Sequence, residues 1–134
     1  MRLAQATKAS AGRDRAERMR RDRAAAQMLR TLFPAVEQLS LEFEFESSTA
    51  NTPAYQAHQM HPPARAFFKF PCPFADCDGG FDLAGPVDTA LGSSGRTSHG
   101  SLRCSGHRAG ASASRQPCEL QLNYAIRATL RPGS

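Results

Sequence analysis

The sequence predicts an α+β protein in which an N-terminal helix precedes a small antiparallel sheet. Three observations carry that reading. A stretch free of Gly and Pro runs from Arg13 to Phe33, dominated by Ala, Arg, Met, Leu and Gln, all good helix formers. Two later segments, Leu39–Glu46 and Cys118–Arg127, alternate apolar and polar residues with the period of a half-buried strand. Four cysteines fall beside the ends of predicted strands and turns. At 134 residues there is room for one core and an appendage. Large apolar residues are sparse and Trp is absent, so a staple is expected to supplement a thin core.

Taken in order, residues 1–12, rich in Ala, Ser and Gly, read as a disordered lead-in. In the helix over 13–33, Asp14 and Arg18, and Glu17 and Arg21, stand at i,i+4 with acid before base, the favourable order. Its apolar stripe, Ala25, Met28, Leu29, Leu32 and Phe33, lies only in the second half. That half is expected to dock on the body while the first half projects as a charged rod. Pro34 ends the helix. In the strand Leu39–Glu46, Leu39, Leu41, Phe43 and Phe45 share one face and Ser40, Glu42, Glu44 and Glu46 the other. A polar loop is expected over Ser47–Pro63, a second strand over Arg65–Phe70 and a short helix over Phe81–Leu91, interrupted or started at Pro86. The Gly/Ser-rich run Gly92–Gly100 reads as a mobile loop, Ser101–Cys104 as a short strand and Gly106–Gln116 as another loop. The closing strand turns Cys118, Leu120, Leu122, Tyr124 and Ile126 inward. Residues 1–33 thus form a basic N-terminal arm and helix, and residues 34–134 an antiparallel β domain.

Charge divides along the same line. Residues 1–30 hold nine basic and three acidic side chains, so of the net +5 this segment carries +6 and the remainder −1. The positive charge belongs to the arm. Arg outnumbers Lys fifteen to two, which reads as the coding bias of a GC-rich, bacterial genome. No stretch approaches the roughly 20 apolar residues that cross a bilayer, and the first residues lack the apolar run of a secretory signal. A cytoplasmic, reducing compartment is therefore expected, which turns the cysteines toward metal and away from disulfides.

The cysteines are spaced Cys72-x4-Cys77 and Cys104-x13-Cys118. Two turns facing each other across a sheet supply the tetrahedron of thiolates that zinc takes. Glycines after a ligand, as in Cys77-Asp78-Gly79-Gly80, let the backbone curl back and aim amide N–H groups at sulfur. Over about residues 65–130 the chain resembles a zinc ribbon, with Cys72 and Cys77 forming one knuckle and Cys104 and Cys118 the other. Both spacings are longer than the usual C-x2-C. The runs around Phe68–Leu83 and Cys118–Tyr124 are also similar to those of small uncharacterised bacterial proteins. The resemblance implies an N-terminal helix packed on a small antiparallel β-sheet with a zinc-ribbon-like site holding one structural zinc. Two alternatives stay open: His107 replacing Cys118, through the ligand-like spacing Cys104-x2-His107, and disulfides or unliganded thiols.

Four thiolates leave no coordination position for water, and the chain has no H-x-E, H-E-x-x-H, nucleotide loop or nucleophile elbow. No enzyme and no small-molecule substrate are expected. Asp76, Asp78 and Asp82 read as turn residues, and His58, His61 and His99 as solvated loop histidines. Two functional readings follow. Arg13, Arg15, Arg18, Arg20, Arg21 and Arg23 make a phosphate-directed stripe for nucleic acid or a nucleoprotein assembly. Phe67, between Arg65 and Lys69, either stacks a base or is covered by the docking helix, cover being favoured. The second reading is a protein-interaction adaptor, with Glu42, Glu44 and Glu46 facing a basic partner or an exposed edge strand pairing with a second copy.

Overall fold

The structure, a computed structural model, describes residues 2–47, 55–74, 77–109 and 115–132, with side chains over 14–47, 55–74, 77–107 and 117–132. Its elements are α1 (Arg2–Ala25), α2 (Leu29–Leu32), β1 (Val36–Glu46), β2 (Tyr55–Met60), β3 (Lys69–Pro71), β4 (Gly80–Asp82), α3 (Ala84–Gly92), β5 (Thr97–Arg103), β6 (His107–Ala109), β7 (Arg115–Pro117) and β8 (Gln121–Leu130). The α+β class is as the sequence predicts.

Four strands form an antiparallel sheet in the order β2-β1-β8-β5, and β3–β4 and β6–β7 are separate two-stranded pairs. The two strongest alternating segments become the sheet's centre, β1 pairing β8 from Val36↔Leu130 to Glu46↔Gln121. Leu39, Leu41, Phe43 and Phe45 are buried on one face, with Leu122, Ile126 and Ala128 of β8 beside them. The β3–β4 hairpin lies over that face: Phe70 meets Phe43 edge-on at 5.0 Å between centroids, and Phe81 stands 6.0 Å from Phe45. Leu29 of α2 and Val87 and Ala90 of α3 complete the core. The other face, with Glu42, Glu44, Glu46, His99 and Arg127 exposed, has no covering layer among the described residues.

Several expectations are corrected. The helix expected over 13–33 is two helices, and the first reaches back to Arg2 through the supposed lead-in. Propensity alone favours one continuous helix, but the chain opens at Met28 (φ −67°, ψ 145°) to pair with Arg65. Leu29 N–H donates to Ala64 O at 2.8 Å and Ala66 N–H to Gln27 O at 2.8 Å, so a tertiary bridge replaces helical bonds. The polar loop over 47–63 contains β2, whose weakly apolar sequence is held as strand by its six-residue ladder to β1. The strand expected over 65–70 shrinks to β3, and β4 occupies the start of the expected 81–91 helix. Within the expected mobile loop 92–100, β5 already begins at Thr97, paired to β8. Part of the expected 106–116 loop forms β6 and β7, and the rest lies outside the described residues.

Candidate metal centre

The two pairs of cysteines reach one point from four chain segments. Cys72 follows β3, Cys77 precedes β4, Cys104 follows β5, and Cys118 follows β7 at the approach to β8. All four are buried, none is disulfide-bonded, and their sulfurs lie within 4.8 Å of one another. Two separations are 3.9 Å, Cys72 to Cys118, and 3.5 Å, Cys77 to Cys104. A metal bonded to four thiolates at about 2.3 Å holds the sulfurs about 3.8 Å apart, so the cluster has the dimensions to hold a metal ion. His107 stays outside it: its side chain is exposed and its backbone N–H donates to Asp78 Oδ1 at 2.7 Å.

The backbone around the sulfurs is built twice. Gly79 N–H donates to Cys77 Sγ at 3.4 Å and Gly106 N–H to Cys104 Sγ at 3.5 Å. Cys72 N–H then donates to Gly79 O at 3.0 Å, and Cys118 N–H to Gly106 O at 2.9 Å. Each half is therefore one Pro-Cys and one Cys-x-Gly, Pro71-Cys72 with Cys77-Asp78-Gly79 and Pro117-Cys118 with Cys104-Ser105-Gly106. The halves occur in opposite chain order, Pro-Cys first in one and last in the other. Both N–H···S bonds spread negative charge from a site that carries −2 with a divalent ion. The repeated dipeptide and tripeptide were the sequence signal for this relationship; the unequal spacings, x4 against x13, hid it.

A thiol cluster this tight cannot ionise freely without a cation. Hydrogen bonds to Cys104 and Cys77, with burial, push the Cys72 thiol up, while hydrogen bonds from Cys104 and Cys72 hold Cys77 down. Cys77 is thus favoured as the thiolate and Cys72 as the thiol. A bound cation removes that constraint and lets the thiolates ligate together.

The helix α1 reaches the same knuckle. Arg15 Nη1 donates to the carbonyl of Cys77 and, at 3.4 Å, to that of Gly79. Its Nε is buried with no hydrogen-bond partner among the described residues. Sequence reasoning grouped Arg15 with the outward stripe and missed this inward role. Arg23 sits 5.2 Å over the Phe67 ring, a cation–π contact from the arm that covers Phe67. Arg18, Arg20 and Arg21 are exposed, and no hydrogen bond or ion pair engages them among the described residues. The favourable i,i+4 spacings to Asp14 and Glu17 therefore do not close into ion pairs. The Arg13 side chain lies outside the described residues.

A cleft of about 380 Å³ opens between α1 and the knuckle, lined in part by Arg15, Arg18, Lys69, Asp22, Asp78 and Asp82. Its mixed charge selects no anion. Of the acidic turn residues, Asp78 bridges the knuckles through His107 N–H, and Asp82 Oδ1 accepts Ala84 N–H at 3.0 Å as α3 begins. Asp76 lies outside the described residues. His58 belongs to β2, not to a loop, and its ring packs 5.1 Å from Phe43 and 4.6 Å from Phe70. His99 likewise lies on a strand, β5, with its side chain exposed; His61 just follows β2 and is exposed.

Among the described residues no helix is long and apolar enough to cross a membrane. Comparison with protein-family models, with curated proteins and with solved structures finds no match for this chain.

Proposed function

We propose that this chain is a non-enzymatic zinc-binding accessory protein, zinc-ribbon-like at its cysteine cluster, that contacts nucleic acid or a nucleoprotein assembly through its basic N-terminal helix. Zinc is the metal that fits four thiolates in a tetrahedron inside a closed, buried site. Four thiolate ligands fill its coordination sphere, so the ion is structural. The observation that carries the nucleic-acid reading is the division of labour along α1. Arg15 holds the knuckle and the exposed Arg23 lies over Phe67, while Arg18 at the rim of the cleft and Arg20 and Arg21 are exposed with no hydrogen bond or ion pair among the described residues. Cations held on a docked helix present charge to phosphates at fixed spacing, and binding of this kind is insensitive to sequence and steep in salt.

The test is affinity for duplex and single-stranded nucleic acid against salt concentration, for the full chain and for Arg18→Gln/Arg20→Gln/Arg21→Gln. The triple variant should bind more weakly and lose about 2–3 units of the log–log salt slope on duplex. Binding equal in the two proteins, or absent in both, rejects the reading. A protein-interaction adaptor is the alternative, supported by the uncovered sheet face where Glu42, Glu44 and Glu46 stand exposed. In that case substitutions on β1, and not on α1, abolish capture of a basic partner.

A further inference from the structure

The four-stranded sheet has two edges, and they are treated differently. At β5 the first residue is already occupied: Ser93 Oγ accepts from Thr97 N–H at 3.1 Å and donates to Thr97 O at 3.1 Å. The helix α3 packs beside β5, Gly100 at its middle leaves no side chain there, and an exposed Arg103 ends it. Short, interrupted, capped or charged strands are how proteins keep sheet edges from pairing with other chains. The other edge, β2, is also short at six residues, but among the described residues it has no side-chain cap, no helix packed beside it and no charged side chain. Its sequence, Tyr-Gln-Ala-His-Gln-Met, contains no Gly, Pro, Lys, Arg, Asp or Glu. It pairs with β1 in unbroken register from Leu39↔Met60 to Glu44↔Tyr55, and among the described residues no strand pairs with its outer edge. It also carries Tyr55, 55% exposed and one of two large apolar side chains left open to solvent among the described residues.

We propose that a second copy of this chain occupies that edge, β2 pairing antiparallel with β2 across a two-fold axis to join the two sheets. Antiparallel pairing of a strand with its own copy sets residues of equal parity opposite each other. Tyr55, Ala57 and Gln59 then meet only one another on the outer face, and Gln56, His58 and Met60 only one another on the inner. Self-pairing penalises any charged strand by setting like charges face to face, and β2 has no fixed charge to oppose itself. The Tyr55 ring is already held over the sheet by its hydroxyl bond to Glu42 at 3.2 Å. The contact is isologous and closed, so it stops at two copies. It depends neither on the metal nor on the basic helix and goes beyond the function proposed above.

Light scattering on the full chain, metal-supplemented, at concentrations up to about 100 µM decides it. The expected mass is twice the 14.5 kDa of one chain. Ala57→Lys/Gln59→Lys changes two exposed side chains and sets Lys against Lys whether Ala57 or His58 lies on the axis. It should weaken the dimer about tenfold or more, while Ser101→Lys on β5 should leave it intact. Amide exchange on the unaltered protein supplies an independent reading: β2 amides should slow as concentration rises. A monomer at the highest concentration, a dimer indifferent to the double substitution, or β2 exchange independent of concentration each overturns the proposal.

Discussion

Gly79 and Gly106 stand back to back, each closing the space in which the other would carry a side chain. A Cβ on Gly79 would lie 2.3 Å from the Gly106 nitrogen, and a Cβ on Gly106 would lie 2.3 Å from the Gly79 nitrogen. These are backbone atoms that also position the N–H···S bonds, so neither can yield without disturbing a sulfur. Gly79→Ala or Gly106→Ala should destabilise the protein by about 3 kcal/mol or more and reduce bound metal below one per chain. Gly85→Ala in α3, where nothing lies within 4 Å, should instead stabilise by roughly 0.5–1 kcal/mol. Thermal melts with metal analysis check both; a neutral Gly79→Ala would mean the knuckles do not meet as described.

Arg15 links the helix to the knuckle through the carbonyls of Cys77 and Gly79. Arg15→Ala should leave metal bound, because no sulfur loses a ligand-directed N–H. It should, however, raise the rate at which trypsin cuts at Arg18, Arg20 and Arg21 several-fold, as docking weakens by about 1 kcal/mol. Chelation of the metal from the unaltered protein should expose the same bonds. Unchanged cleavage in both experiments would show that the clamp holds nothing.

Metal retention should depend on acidity in one direction. The Cys72 thiol is pushed up by its hydrogen bonds to Cys104 and Cys77 and by burial, so it holds a proton that ligation must displace. Apparent metal affinity should fall about tenfold per pH unit for each proton released, and the stability supplied by bound metal should fall with it on acidification, the raised thiol by itself acting in the opposite sense. A chromogenic metal indicator titrated between neutral and mildly acidic pH measures this. Retention that is flat across that range would argue against thiolate ligation.

His58 adds a second, smaller acid sensitivity. Burial lowers its pKa from 6.5, so the folded state favours the neutral ring while the unfolded chain takes up the proton first. The stability it contributes is complete above its unfolded value and is lost as pH falls through the lower folded value. An NMR titration should place its midpoint below the ordinary histidine value, and His58→Phe, in the same place against Phe43 and Phe70, should flatten the acid limb. A midpoint at or above the ordinary value would contradict the packing.

Legibility in the sequence tracked how far each element depends on itself. The strands β1 and β8 were readable because Leu39, Leu41, Phe43 and Phe45, and Leu120, Leu122 and Ile126, alternate strictly and are buried on the inner side. The strand β2 was not, since Gln56, His58 and Met60 make a weak inner face and only the ladder to β1 reveals it. The break at Met28 was hidden because Gln27, Met28 and Leu29 are all sound helix residues and the competing partner, Ala64–Ala66, lies 35 or more residues on. At the metal centre the four cysteines were legible by count and placement. That Arg15 turns inward was not, because a stripe of arginines has no marker for which one meets a carbonyl.

Neither half of the cluster holds more than two of the four sulfurs, and the halves meet only after residues as far apart as Cys72 and Cys118 have been brought together. A half-made site offers a metal two thiolates and little retention. On the reading proposed above, full metal content would mark chains whose two halves have met, a readout of long-range assembly that helix and strand signals do not give.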